Sequence, residues 1–127
     1  LIWPYEVTSD KQSKEILKHV EYHLAKDHGV IRYKGDRYFN ANEDGVSEEA
    51  EWTFGLSWLS IIFQKRGDHR KAEYYLEEAK KSATKQGMPE LYYSNSTKFN
   101  ENTPLGWSES LFIVALYELG EKFLRKS

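Results

Sequence analysis

Apolar positions recur at helical spacing in four stretches of this chain, separated by two long stretches with no period. The first stretch opens at Thr8-Ser9-Asp10, which supplies capping hydroxyls and a carboxylate, and carries Ile16, Leu17, Val20 and Leu24 on one face. It is predicted to end near Asp27-His28-Gly29, with Gly29 just past the helix. The second starts around Ser47-Glu48-Glu49-Ala50, whose carboxylates suit a helix N-terminus, and runs through Trp52, Leu56, Leu59, Ile62 and Phe63 to Gly67. Phe54, Trp58 and Ile61 fill the rest of its circumference, so it is expected to be buried on several sides. The third follows at once from Asp68, with Ala72, Tyr75, Leu76, Ala79 and Ala83 on one stripe and Lys/Glu opposite, and ends near Gly87. The fourth runs from Trp107 to Leu124 and is apolar around most of its girth.

The connections give these elements an order in space. A long loop joins the first two helices, a tight Arg66-Gly67-Asp68 turn the next two, and a second long loop the last two. If neighbours are antiparallel, both long loops lie at one end and the tight turn at the other. One-faced and all-round apolar helices alternate, as in helical hairpins with an outer and an inner layer. The expected fold is therefore all-α, of the toroid or solenoid kind. Function is expected at the long-loop end.

Composition narrows the classes. The chain has 127 residues, 39% hydrophobic and 30% charged, enough for one modest folded domain. A net charge of −2, with basic and acidic residues interleaved, argues against a protein that tracks nucleic-acid phosphates. With no cysteine there is neither a disulfide nor a thiolate metal site. No apolar run reaches the length of a membrane span, so no membrane partner is expected. A cytoplasmic location is expected. Four Trp and nine Tyr exceed the needs of a small core, so some are expected to line a cleft.

The second long loop concentrates that excess. About twenty residues from Gly87 onward carry Tyr92, Tyr93, Phe99 and Trp107 beside the carboxylate of Glu90. A carboxylate acts on a glycosidic oxygen or on water, and aromatic faces stack on the C–H faces of a pyranose, so this composition suits a sugar site. Glu90 follows Pro89 on a stiff turn, and Arg32 in the first long loop offers a planar fork for paired hydroxyls. Taken singly, each residue has a plainer reading. Glu90 is an exposed loop carboxylate, Arg32 a surface salt bridge, Trp107 a cap on the core, Trp58 core, and Tyr92 and Tyr93 loop packing, while Trp52 fits either role.

At Gly29-Val30-Ile31-Arg32-Tyr33-Lys34-Gly35-Asp36-Arg37-Tyr38-Phe39, Glu51-Trp52, Met88-Pro89-Glu90-Leu91 and Leu105-Gly106-Trp107-Ser108, the chain resembles glycoside hydrolase family 15. This family contains the glucoamylases, glucodextranases and trehalases. Ile2-Trp3-Pro4 also resembles a family segment, and order and spacing agree over nearly the whole chain. Regulatory subunits of animal phosphorylase kinase carry a similar segment. The resemblance implies an (α/α)6 barrel of which residues 1–127 form the C-terminal part, as one partial domain. It implies hydrolysis of α-glucosidic bonds with inversion, by two carboxylic acids and no cofactor. Glu90 matches the base. Arg32 matches an arginine that binds sugar hydroxyls, and Trp107 an aromatic wall of the pocket. Asp36, Tyr38 and Trp52 are expected around the same sugar. The general acid belongs to an N-terminal part absent from this chain, so the segment alone is expected to be inactive.

Two expectations about partners follow. The ligand is an α-linked glucose oligosaccharide, and the inner apolar helices need either the missing part of the barrel or self-association to be covered. A non-catalytic carbohydrate-binding or regulatory module on the same scaffold is the alternative, and a helical interaction domain without a sugar role is a third reading. Asn40-x-Asn42-x-Asp44-Gly45 with Glu51 approximates a calcium loop, but the segment before it is a poor helix. His19 and His23, spaced as a helical pair, lack a third ligand and read as a solvated face. No metal is expected. Asn95-Ser96-Thr97 is a glycosylation sequon of the kind that arises by chance.

Overall fold

A computed structural model describes residues 1–38 and 49–120. Asn40 to Gly45 of the calcium-loop pattern, Ser47 and Glu48 of the expected second helix, and the expected helical residues 121–124 lie outside the described residues.

Helix α1, Asp10–His19, begins with a reciprocal cap. Ser9 Oγ accepts from Gln12 N at 3.2 Å, and Gln12 Oε1 accepts from Ser9 N at 2.9 Å. The helix then widens into a π-turn at Val20–Leu24, closed by Ala25 N donating to Val20 O at 2.9 Å. It stops there, short of the expected end at Asp27. Gly29 is not a helix terminator. A Cβ at Gly29 would lie 2.5 Å from the carbonyl carbons of Glu51 and Trp52, so its bare backbone lets two chain segments touch.

That approach changes the start of the second helix. Val30 N donates to Trp52 O at 3.0 Å and Trp52 N to Val30 O at 3.1 Å. With its backbone committed sideways, Trp52 cannot join a helix. Glu51–Trp52 instead forms strand β1, and helix α2 runs only over Phe54–Lys65. Strand β2, Leu91–Tyr92, pairs antiparallel with β1, placing Glu51 opposite Tyr92 and Trp52 opposite Leu91. The all-α expectation is corrected to this extent: a mostly helical chain with a small sheet where its loops meet.

Helix α2 is the centre of the fold. Leu56, Leu59, Ile62 and Phe63 pack against Ala72, Tyr75 and Ala79 of helix α3, His69–Ser82, and against Leu17 of α1. Ile61 packs with Leu76 of α3 and with Leu111, Ala115 and Leu116 of helix α4, Gly106–Glu118. Each fully buried aliphatic side chain contributes roughly 1.5–3 kcal/mol. Ala72 and Ala79 let α2 and α3 approach closely enough for Ser60 Oγ to donate to Ala72 O at 2.8 Å. Asp68 caps α3 by accepting from Lys71 N, and the helix ends at Ser82 rather than Gly87 because Thr84 and Gly87 close a tight turn on each other. Helix α4 is apolar all round yet covered on one side. Trp107, Ile113 and Tyr117 are 52%, 58% and 73% exposed.

The loops fall where the connection lengths predict. β1 and β2 gather both long loops at the N-terminal end of α2, and the Arg66-Gly67-Asp68 turn closes its far end.

Candidate carbohydrate site

Thr53 knots the site together. It occupies the N-cap position of α2, where a hydroxyl ordinarily accepts from the helix backbone, yet it makes no such bond. Its Oγ1 donates instead to the carbonyl of Pro89 and lies 3.0 Å from Ser108 Oγ. Thr53 N also donates to Glu90 O at 3.2 Å. Thr53 and Ser108 are fully buried. One threonine thus binds the segments that carry Trp52, Glu90 and Trp107.

Around Glu90 the second long loop folds as a hairpin. Tyr93 N donates to Lys98 O, Asn100 N to Leu91 O and Glu90 N to Asn102 O, at 2.9, 3.2 and 3.0 Å. Alternate residues of an extended segment share a face, and Asn100 and Asn102 both turn toward Glu90. Asn100 Nδ2 donates to Glu90 Oε2 at 2.6 Å and Asn102 Nδ2 to the same oxygen at 2.7 Å. Among the described residues Oε1 accepts no hydrogen bond, and it is not among the sealed polar atoms that lack a partner. The carboxylate, 8% exposed, is therefore held by one oxygen and open through the other. Behind it, Met88 N donates to Glu109 Oε1 at 2.7 Å and Leu105 N to Met88 O at 2.9 Å. Gly87, at φ 106°, leaves room for Glu109; a Cβ there would lie 2.3 Å from Glu109 Oε1.

The first long loop contributes a cation on an aromatic wall. Arg32 Nε and Nη2 donate to the two oxygens of Asp36 at 2.6 and 2.7 Å, a planar two-point pair. Asp36 also accepts from Tyr38 N at 3.0 Å. The Arg32 hydrogen bonds hold the Asp36 carboxyl below the usual carboxylate range and raise the guanidinium further above its own. Asp36 is completely buried behind an Arg32 side chain that is 38% exposed. The guanidinium carbon lies 4.8 Å from the Trp52 ring centre and 4.9 Å from that of Tyr38, and these two rings stack at 5.4 Å. Among the described residues Arg32 Nη1 takes no hydrogen bond.

The aromatic wall continues along the top of α2 and α4. Trp52 tilts against Phe54 at 5.6 Å, and Phe54 stacks flat on Trp107 at 4.3 Å. Trp58 lies 6.1 Å from Trp107 and donates through Nε1 to Trp3 O at 3.1 Å. One face of Trp107 is spent on Phe54, and over half of the residue remains open.

The structure therefore gathers Arg32, Asp36, Tyr38 and Trp52 in one cluster and sets Trp107 on the far side of the Phe54 ring. Glu90 joins them through the backbone: it immediately precedes Leu91, the partner of Trp52 across the sheet. Tyr38 and Trp107 are open to solvent, whereas Asp36 and Trp52 are buried and meet the site through Arg32. Residue-by-residue reading passed over Thr53, Ser108, Asn100 and Asn102. The alternating Asn-x-Asn opposite a carboxylate was the available signal. Glu51 is turned away from the site and accepts from the backbone N–H groups of His28 and Asn95 at 3.0 and 3.1 Å. Among the described residues no three His, Asp or Glu gather as a metal cluster, and no helix is long and apolar enough to cross a membrane.

No protein-family model and no solved structure matches this chain. Among curated proteins it is similar to an uncharacterized glycosyl hydrolase of Methanocaldococcus jannaschii, at 27% identity over 121 residues. The alignment covers 85% of this chain and 18% of that relative, so the chain spans under a fifth of the length of the protein it matches.

Proposed function

We propose that this chain is the C-terminal part of an (α/α)6 catalytic domain that hydrolyses α-glucosidic bonds with inversion, in the manner of the glucoamylases. The observation that carries the proposal is the state of Glu90: a nearly buried carboxylate, anchored through Oε2 by two amides, with Oε1 open, next in the chain to the residue that pairs with Trp52. Likeness to a protein named as a glycosyl hydrolase supports a glycoside as the substrate class.

In this reading Glu90 Oε1 takes a proton from water as the water oxygen attacks the anomeric carbon from the face opposite the leaving group. A carboxylic acid from another segment protonates the departing oxygen. Arg32, held flat by Asp36, presents its free Nη1 to sugar hydroxyls. Trp107 and Tyr38 bound the ring faces, and Trp52 backs the guanidinium. The open flank of α4, with Ile113 and Tyr117, is where the rest of the barrel packs or, without it, where copies associate.

The test is Glu90→Gln in the complete protein, assayed on maltose, isomaltose and trehalose. Loss of hydrolysis by about a thousandfold or more is expected for removal of a general base that a simple amide cannot replace. Undiminished turnover would sink the assignment.

The alternative is a carbohydrate-binding module that does no chemistry. It is favoured by one observation: Glu109, in the first turn of α4, is tied to Met88 N at 2.7 Å and so is not free to act as the acid beside Glu90. Retained binding of malto-oligosaccharides by calorimetry, with no hydrolysis by the complete protein, would select it.

A further inference from the structure

Asn100 is 2% exposed and its Oδ1 is buried without a partner. A sealed carbonyl oxygen with no donor costs about 1–3 kcal/mol, so its retention calls for an explanation. The opposite end of the same amide supplies one, since Nδ2 lies 2.6 Å from Glu90 Oε2. Turning the amide over would satisfy nothing and would set Oδ1 against a carboxylate oxygen. Asn102, two residues on along the hairpin, repeats the contact at 2.7 Å, and its own carbonyl receives Glu90 N at 3.0 Å. The two amides converge on one oxygen rather than sharing the two. Thr103 Oγ1 donates to Asn100 O at 2.9 Å and steadies the turn that carries both. A carboxylate anchored evenly would have no preferred reacting oxygen. This one does.

We propose that Asn100 and Asn102 are positioning residues that dock Glu90 Oε2 and thereby aim Oε1 at the attacking water. The proposal rests on the reading of Glu90 as the base. An error of about 1 Å in such a group costs on the order of a hundredfold in rate, so a second hydrogen bond to one oxygen has a measurable job. Both amides donate to Glu90, and the role proposed for them is on that carboxylate rather than on the sugar. Their loss therefore lowers kcat and leaves KM alone.

The experiment uses the complete protein, the α-glucoside it turns over fastest, and four variants: Glu90→Gln, Asn102→Ala, Asn102→Asp and Asn100→Asp. Asn102 is exposed, so Asn102→Ala is expected to fold with an unchanged melting temperature, to lose kcat by roughly tenfold to a hundredfold, and to keep KM within about twofold. Asn102→Asp preserves the shape but replaces a donor by an acceptor, and is expected to fall below Asn102→Ala. A merely structural residue would give the reverse order. Unchanged kcat in both Asn102 variants, or a raised KM at unchanged kcat, overturns the proposal; if Asn100→Asp does not fold, the Asn102 pair decides. If Glu90→Gln is inactive while the Asn102 variants are normal, the positioning role fails and the base survives. If Glu90→Gln is fully active, the base reading fails. The crystal structure of Asn102→Ala then decides the docking itself, and a Glu90 carboxylate that has not turned rejects it.

Discussion

Thr53 Oγ1 lies 3.0 Å from Ser108 Oγ and donates to Pro89, so the first turn of α2, the Glu90 loop and the first turn of α4 share one buried hydroxyl. Thr53→Val keeps the shape and removes that hydroxyl, leaving the Pro89 carbonyl and Ser108 without it. A loss of about 1–3 kcal/mol in urea unfolding is expected, the usual cost of an orphaned buried group. A change below about 0.5 kcal/mol would mean that the knot contributes nothing to stability.

Gly29→Ala tests the contact that makes β1 a strand. The added methyl meets the carbonyl carbons of Glu51 and Trp52 at 2.5 Å, and backbone cannot step aside as a flexible side chain can. A loss of at least about 1–3 kcal/mol is expected, with faster amide exchange at Val30 and Trp52. Unaltered exchange there would refute the argument.

The Arg32–Asp36 pair predicts an acid limb of stability. Asp36 has a lowered pKa in the folded chain, first because of its hydrogen bonds to Arg32, so the unfolded chain binds the proton more readily. The pair's contribution is present above the ordinary aspartate value of 3.8 and is lost as pH falls below it through the folded value. Asp36→Asn should lower stability at neutral pH by about 1.5–3 kcal/mol and flatten the decline in acid. Unfolding measured from roughly pH 2.5 to 7 checks both, and an unchanged acid slope would assign that decline to other carboxylates.

Trp107 stacks one face on Phe54 and is otherwise open, as the proposed sugar contact requires. Trp107→Ala is expected to weaken maltotriose binding up to about tenfold in calorimetry, and Trp107→Phe to weaken it less, since stacking is worth roughly 0.5–1.5 kcal/mol. Equal affinity in all three proteins would remove Trp107 from the site.

Ile113 and Tyr117 leave an apolar flank on α4. The isolated segment 1–127 should self-associate in sedimentation, and Ile113→Lys should shift it toward monomer. A monodisperse monomer before substitution would count against an uncovered barrel face.

Helix positions were legible because their signals are local. Ser9 and Asp68 cap where hydroxyl and carboxylate chemistry predicts, and the apolar period of α2 and α3 names their buried faces. Trp52 misled, since its spacing continues the pattern of Leu56 and Leu59. Only the approach of Gly29 and Val30, more than twenty residues earlier, diverts its backbone into a strand. The Gly87-to-Ser110 loop offered chemistry without shape. Its hairpin, and with it the Asn100 and Asn102 contacts, depends on pairings across a turn that has no period to read.

The sequence by itself determined where the four helices lie and the end of the array where the long loops meet, and it offered Glu90, Arg32 and Trp107 as candidates. Tertiary structure decided which of those residues are open, which are backing, and which oxygen of Glu90 is held. The reason is physical. Helical period and caps are set by residues within a few positions of each other, whereas exposure and carboxylate orientation are set by what distant segments press against them. Asp36 and Trp52 are candidates in the sequence, and only packing shows that both are buried against Arg32.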